Sequence, residues 1–166
     1  MVEHIHPGLI LQVTILLVFA NGSPVLAKRI FGGCLAYPLD GEVILRDGAR
    51  LFGPSKTIRG TLASIIMTSV ASVLMRQGLM LGIVMALAAM AGDLISSFIK
   101  RRLGYQPSSR ATGLDQVPES LLPVLAYGTF MPLSSLDIMA TLALFVLGEI
   151  ILSPLLHLAN IRDEPY

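Results

Sequence analysis

Asp93 is the one acid in the hydrophobic run Met80–Ile99, and that run closes on Ser96-Ser97-Phe98-Ile99-Lys100-Arg101-Arg102. A carboxylate within a membrane-length apolar segment costs roughly 2.5–3.5 kcal/mol on insertion scales, so it is rarely incidental. On a helix Asp93, Ser97, Lys100 and Arg101 fall at i, i+4, i+7 and i+8 and share one face. That face offers a hard oxygen ligand for a divalent ion and, about 10 Å further along the axis, cations for phosphate. The longer stretch GDLISSFIKRRLGYQPSSRATGLDQ adds Asp115 in the following loop. Asp93 and Asp115 are therefore candidate ligands for one or two Mg²⁺, which prefers carboxylates plus substrate phosphates to an all-protein cage. Lys100, Arg101 and Arg102 carry the charge to neutralise a triphosphate. Taken alone, the basic run would do no more than mark the cytoplasmic end of a helix, with Asp93 in a structural bond. The acid two turns before it and the acid in the next loop favour phosphate chemistry at a membrane surface.

A second cluster runs from Pro38 to Thr61, PLDGEVILRDGARLFGPSKTIRGT. Lys56, Thr57 and Arg59 precede a hydrophobic segment, where the N–H groups of a helix start favour phosphate. It is no P-loop, because Ser55 stands where a Gly should precede the Lys. A solvated amphipathic linker explains the same residues equally well. Asn21 and Lys28 lie seven apart and share a face if helical; Asn21 either meets a base or sugar in a cavity or caps a kink at Pro24. Glu149 is a further acid in an apolar segment, either a partner for a basic group near the site or a helix-packing group. Gly78-x-x-x-Gly82 fits close helix packing. His4, His6 and His157 are scattered, and no Ser-His-Asp, CxxC, HExxH or Rossmann fingerprint is present.

The elements that must position these groups follow from composition. Of 166 residues 54% are hydrophobic and 14% charged, and the mean hydropathy is +0.73. A soluble domain carries roughly 25% charged residues, so the chain reads as an all-α integral membrane protein of one domain. Cys34 is the single cysteine, which excludes an internal disulfide and a multi-Cys metal site. The start MVEHIHPG lacks a basic n-region, so the first hydrophobic segment is expected to be retained. Five spans are predicted, at about 8–31, 60–75, 79–99, 118–133 and 138–158. Asn21-Gly22-Ser23-Pro24 should kink or unwind the first, and the fourth is short for a span of roughly 20 residues. Lys28, Arg29, Arg46, Arg50, Lys56, Arg59, Lys100, Arg101, Arg102, Arg110 and Arg162 then fall on one side, against Arg76 alone on the other. The positive-inside rule makes that side cytoplasmic and the N-terminus external. The two cytoplasmic loops, 32–59 and 100–117, hold acids as well as bases: Asp40, Glu42, Asp47 and Asp115, with Glu119 just beyond. Compact turns that present side chains, rather than a basic lipid-binding surface, suit that mixture.

At these residues the chain resembles a known family. GDLISSFIKRRLG…LDQ is similar to the signature of CTP-dependent phosphatidate cytidylyltransferases. ANGSPVLAKRI, PLDGE, DGARLFGPSKTIRG and GDLISSFIKRRLG together resemble more closely its short archaeal branch, the CDP-archaeol synthases, over about Asn21 to Gln116. The resemblance implies a multi-pass cell-membrane enzyme with its active site facing the cytoplasm. Its reaction would be Mg²⁺-dependent transfer of CMP from CTP to 2,3-di-O-geranylgeranyl-sn-glycero-1-phosphate, giving CDP-archaeol and pyrophosphate. It assigns Asp93, Asp115 and Asp40 to the metal, and Asp93, Lys100 and Asp115 to catalysis. Lys56, Arg59, Lys100 and Arg101 would hold phosphates, with Asn21, Lys28, Thr57 and Ser97 lining the pocket. The implied partners are CTP, an isoprenoid ether-lipid phosphate and the lipid bilayer, with no nucleic acid, and a homodimer is an allowed assembly. Two departures stand out: Glu42 where a Gly is expected after PLDG, and Pro118-Glu119 where another Asp is expected three residues after Asp115. A phosphatidate cytidylyltransferase acting on ester lipids and a small membrane transporter are the rival readings. The second would not need the cytoplasmic acid–base clusters.

Overall fold

The structure, a computed structural model, describes residues 4–106, 109, 111 and 113–158. Arg110 and Arg162, two of the charges that set the expected orientation, lie outside the described residues. Five helices follow one another: α1 (Pro7–Phe31), α2 (Ile58–Leu74), α3 (Leu79–Arg102), α4 (Gln116–Gly128) and α5 (Ser135–Leu158). Among the described residues there are no strands, only two isolated bridges, Pro38 with Thr57 and Ile44 with Arg50. The expected all-α membrane architecture is what the chain adopts.

Local chemistry sets the helix ends. Pro7 occupies the first turn of α1, where its missing N–H costs nothing, and Gly32 at φ +53° closes it by donating to the Lys28 carbonyl. The Thr57 hydroxyl accepts from the Gly60 N–H at 3.2 Å and caps α2. Lys100, Arg101 and Arg102 sit in the last turn of α3, at the negative end of its dipole.

Two expectations need correction. The first segment is not unwound at Asn21–Pro24, because α1 runs through Pro24 to Phe31. Proline removes the N–H that the Ala20 carbonyl would have accepted, and the Ser64 hydroxyl of α2 supplies that hydrogen bond at 2.8 Å. The fourth segment is shorter than predicted. Its 13 residues extend only about 20 Å, against a hydrocarbon core of about 30 Å. The helices long and apolar enough to cross a membrane are Pro7–Phe31, Leu79–Arg102 and Ser135–Pro154.

Small residues bring the helices together. A Cβ on Gly82 of α3 would lie 2.5 Å from the Ser69 Cα of α2, so that crossing tolerates no side chain. A Cβ on Gly78 would meet nothing within 4 Å, so only the second glycine of the Gly78-x-x-x-Gly82 pattern packs a helix crossing. Val13, Leu16, Leu17, Leu81, Met85 and Tyr127 form the fully buried centre. Leu11, Val18, Ile66, Leu87, Leu147 and Ile151 leave apolar surface on the outside, as a bundle in lipid requires.

One end of the bundle is tied by polar contacts. Gln77 Nε2 donates to Gln12 Oε1 at 2.6 Å and to the Tyr127 hydroxyl at 2.8 Å, joining α1, the α2–α3 turn and α4. There too the His6 N–H donates to Asp137 Oδ1 at 2.8 Å. The opposite end carries the two long connections, and the candidate chemistry gathers beneath them.

Candidate active site

Lys56 and Asp93 meet at the heart of the site. The Lys56 backbone is fixed because Leu39 donates to its carbonyl at 2.8 Å and Ile58 donates to the Tyr37 carbonyl at 3.0 Å. The stem runs from the start of α2 toward α3, and the ammonium bonds both Asp93 oxygens, at 2.5 and 2.6 Å. Lys56 and Asp93 side chains are 22% and 26% exposed, so the pair reaches a small cleft lined also by Pro24, Thr57 and Met90.

A second pair stands higher on the same face of α3. Lys100 Nζ lies 2.7 Å from Asp115 Oδ1, and it also donates to the Ser109 carbonyl at 3.0 Å. Asp115 is held from its own side, its Oδ2 accepting from the Ala111 N–H at 2.9 Å. Lys100 is seven residues from Asp93, about 10 Å along the axis, so the two pairs sit at different heights on α3. Each faces its own lysine. Among the described residues no three His, Cys, Asp or Glu side chains form a ready metal cage. The donors present suit Mg²⁺ in its usual manner, one or two carboxylates completed by substrate phosphates.

Acids from α4 and α5 complete the lower part of the site. Gly92 lets α4 approach α3 so closely that a Cβ there would fall 2.1 Å from the Pro118 carbonyl oxygen. That approach starts α4 at the depth of Asp93 and buries Glu119, 8% exposed, where it hydrogen-bonds Glu149 and feels the charges of Asp93 and Lys56. Glu119 Oε1 and Glu149 Oε2 have no hydrogen-bond partner. The sequence flagged both acids; only the packing shows that they meet beside Asp93.

Several expected site residues make contacts within the scaffold. Asp40, expected on the metal, has a fully buried side chain filled by five donors. Arg50 Nη2 and Nε approach at 2.6 and 3.3 Å, and the N–H groups of Gly53, Glu42 and Phe52 at 2.9, 3.1 and 3.2 Å. Burial alone would raise its pKa, but Arg50 and those N–H groups outweigh it and hold the carboxyl well below the usual carboxylate range. It organises the first loop, with both oxygens occupied by these donors. Arg59 donates through Nη1 to the Gly32 and Cys34 carbonyls, closing the end of α1. Asn21 Nδ2 turns back to the Leu17 carbonyl at 3.2 Å. Arg102 ties the first loop to α3 through Asp47 at 2.8 Å and the Arg50 carbonyl at 2.7 Å. Thr57 spends its hydroxyl on the α2 cap, Ser97 is buried in α3, and Lys28 is exposed near the end of α1.

Between the first loop and the end of α3 lies a cavity of 250 Å³, lined by Ala49, Arg50, Gly53, Arg101, Gly104 and Tyr105. Arg101 is almost fully buried beside it; its Nη2 donates to the Gln106 carbonyl at 2.7 Å while its Nε is unpartnered. Arg101 is a sequence candidate for holding phosphate, but Arg50 and Tyr105 were not among the candidates. Arg50 had a signal, ten residues after Asp40 in a loop of mixed charge, whereas Tyr105 had none.

A family model described as CarS-like CDP-archaeol synthase matches residues 8–163. The CDP-archaeol synthase of Aeropyrum pernix is 38% identical over 92% of this chain and 91% of that protein. That of Pyrococcus furiosus is 41% identical over a shorter stretch, 59% of this chain and 61% of that protein. A solved structure of an intramembrane enzyme for archaeal membrane lipid biosynthesis superposes with a TM-score of 0.65 at 35% identity, covering 88% of this chain and 90% of that one.

Proposed function

The chain belongs to the CDP-archaeol synthase family, and from that premise we propose that it transfers CMP from CTP to 2,3-di-O-geranylgeranyl-sn-glycero-1-phosphate. An oxygen of the lipid phosphate attacks the α-phosphorus of CTP. A new P–O bond forms, the bond to the bridging α–β oxygen breaks, and pyrophosphate leaves with that electron pair. The nucleophile is already an anion, so no Ser, Cys or general base is needed. What the protein must supply is position and positive charge.

The observation that carries this reading is the Lys56–Asp93 pair, which joins two motif stretches at the start of α2. Asp93 and Asp115 would hold Mg²⁺, which when bound neutralises phosphate charge and eases departure of pyrophosphate. Lys56, beside the positive end of α2, and Lys100 stand where phosphates of CTP or of the lipid would lie. Arg101, beside the cavity above them, completes the cationic lining. The cationic end faces the cytoplasm by the positive-inside rule, where CTP is found, and the lipid arrives laterally between helices.

The test is pyrophosphate release by purified protein in detergent, given CTP, Mg²⁺ and the ether-lipid phosphate, beside a phosphatidate control. Release that needs both CTP and the ether lipid is expected. Equal turnover of phosphatidate would reassign the acceptor, and no release from folded protein with either lipid would favour a transporter.

A further inference from the structure

We propose that Lys56 is a place-holding cation: its ammonium occupies the position on Asp93 that a divalent cation takes when CTP arrives, and is then released to the phosphates. The inference deepens the reading above and rests on its metal–nucleotide substrate.

Geometry supplies the first support. The ammonium bonds both Asp93 oxygens at 2.5 and 2.6 Å, so it sits where a metal would lie against that carboxylate. The surroundings supply the second. Asp93 holds Lys56, Glu119 lies near both with Glu149 as its hydrogen-bond partner, and a buried oxygen of Glu119 lacks a partner. Asp93 is only 26% exposed, and a partly buried carboxylate is costly without a cation, which Lys56 supplies in the empty protein. Exchange is also physically easy. The Lys56 backbone is pinned, but its stem has four rotatable bonds and its head reaches the cleft.

The exchange has a built-in order. No ready cage exists among the described residues, so a metal alone must displace a tethered ammonium for few ligands in return. A metal that arrives on CTP brings phosphate oxygens as ligands and gives the displaced ammonium new anions to bind. Divalent cation binding therefore depends on nucleotide, and Lys56 is the residue that makes it so.

The test is Mn²⁺ binding without nucleotide, followed by electron paramagnetic resonance on the full chain in detergent. The wild type is expected to bind weakly. Lys56→Met, which keeps the stem and removes the charge, is expected to bind at least about tenfold more tightly, the change that one charge-assisted hydrogen bond represents. Asp93→Asn should abolish the gain when combined with it. A folded Lys56→Met protein that binds Mn²⁺ no better than wild type overturns the proposal. Because that variant could fail to fold, a second measurement uses the wild type: the acylation rate of Lys56, read by mass spectrometry against Lys28, as Mg²⁺ is raised without nucleotide until the site fills. The rate should rise as the ammonium is displaced, and an unchanged rate overturns the exchange. Neither readout needs turnover. Tighter metal binding in a protein that makes no CDP-lipid would keep the exchange and reject the cytidylyltransferase reading instead.

Discussion

Replacing Gly92 by Ala should damage stability and catalysis together, and the structure gives the size of both effects. The added Cβ would stand 2.1 Å from the Pro118 carbonyl oxygen, 2.5 Å from its carbon and 2.7 Å from the Glu119 Cα. Ordinary contact begins at 3.4 Å, so the oxygen must retreat by about 1.3 Å. All three neighbours are backbone, so no side chain can swing aside and α4 must move as a body. Overpacking of this kind costs about 3 kcal/mol, offset by up to about 1 kcal/mol of helix propensity gained over Gly, leaving roughly 2 kcal/mol. The same displacement carries Glu119 away from Asp93 and Lys56. A misplacement near 1 Å is worth about a hundredfold in rate. Thermal unfolding in detergent and pyrophosphate release from CTP and the ether lipid read the two effects. Gly148→Ala in α5, with nothing within 4 Å of its new Cβ, is the control: it should leave turnover unchanged and gain up to about 1 kcal/mol of helix propensity with no overpacking to offset it. Wild-type melting and wild-type turnover in Gly92→Ala would refute the α3–α4 packing argument.

Asp93→Asn keeps the size of the side chain and removes its charge; CTP-dependent turnover should fall by at least about a hundredfold in protein that still inserts and folds, and near-normal turnover would remove Asp93 from the metal. Asp40 is held well below the usual carboxylate range, so its contribution is complete above about pH 4 and drains away as acid protonates it. Melting temperatures taken downward from pH 6 should therefore fall more steeply below pH 4 in wild type than in Asp40→Asn, which starts lower and lacks that component; parallel profiles would contradict it. Glu42 adopts φ +65°, a left-handed conformation that glycine takes without steric cost. Glu42→Gly should stabilise by roughly 0.5–1 kcal/mol in thermal unfolding, the lost ion pair with Arg50 being long and exposed. Arg76→Ala, on the exposed α2–α3 turn at the other end of the bundle, should leave turnover unchanged, and a large loss would contradict the placement of the site.

What could be read in the sequence was whatever depends on neighbours along the chain. Apolar length located the helices, and Asp93 was conspicuous because an acid is expensive in such a run. The failures share a cause. Pro24 promised a break, but the Ser64 hydroxyl, 44 residues away, satisfies the carbonyl that proline leaves open. Asp40, Arg59 and Arg102 have the right chemistry for metal or phosphate, and the structure shows the same groups tying carbonyls and loop N–H groups, contacts that chain spacing does not reveal. The pairing of Lys56 with Asp93 and of Lys100 with Asp115 was equally unwritten, since each lysine had several acids within a chain's reach. Glu119 is the instructive case. It stood out only as a departure from an expected Asp, and the glycine that lets α4 press against α3 is what puts it beside Asp93.

The central claim is that the group transferred is CMP, and two labels on CTP test it. With purified protein, Mg²⁺ and the ether-lipid phosphate, label from the α-phosphate should pass into the chloroform-soluble lipid while label from the γ-phosphate leaves as pyrophosphate. Label from the γ-phosphate in the lipid would mean phosphoryl transfer, and the cytidylyltransferase account would be wrong.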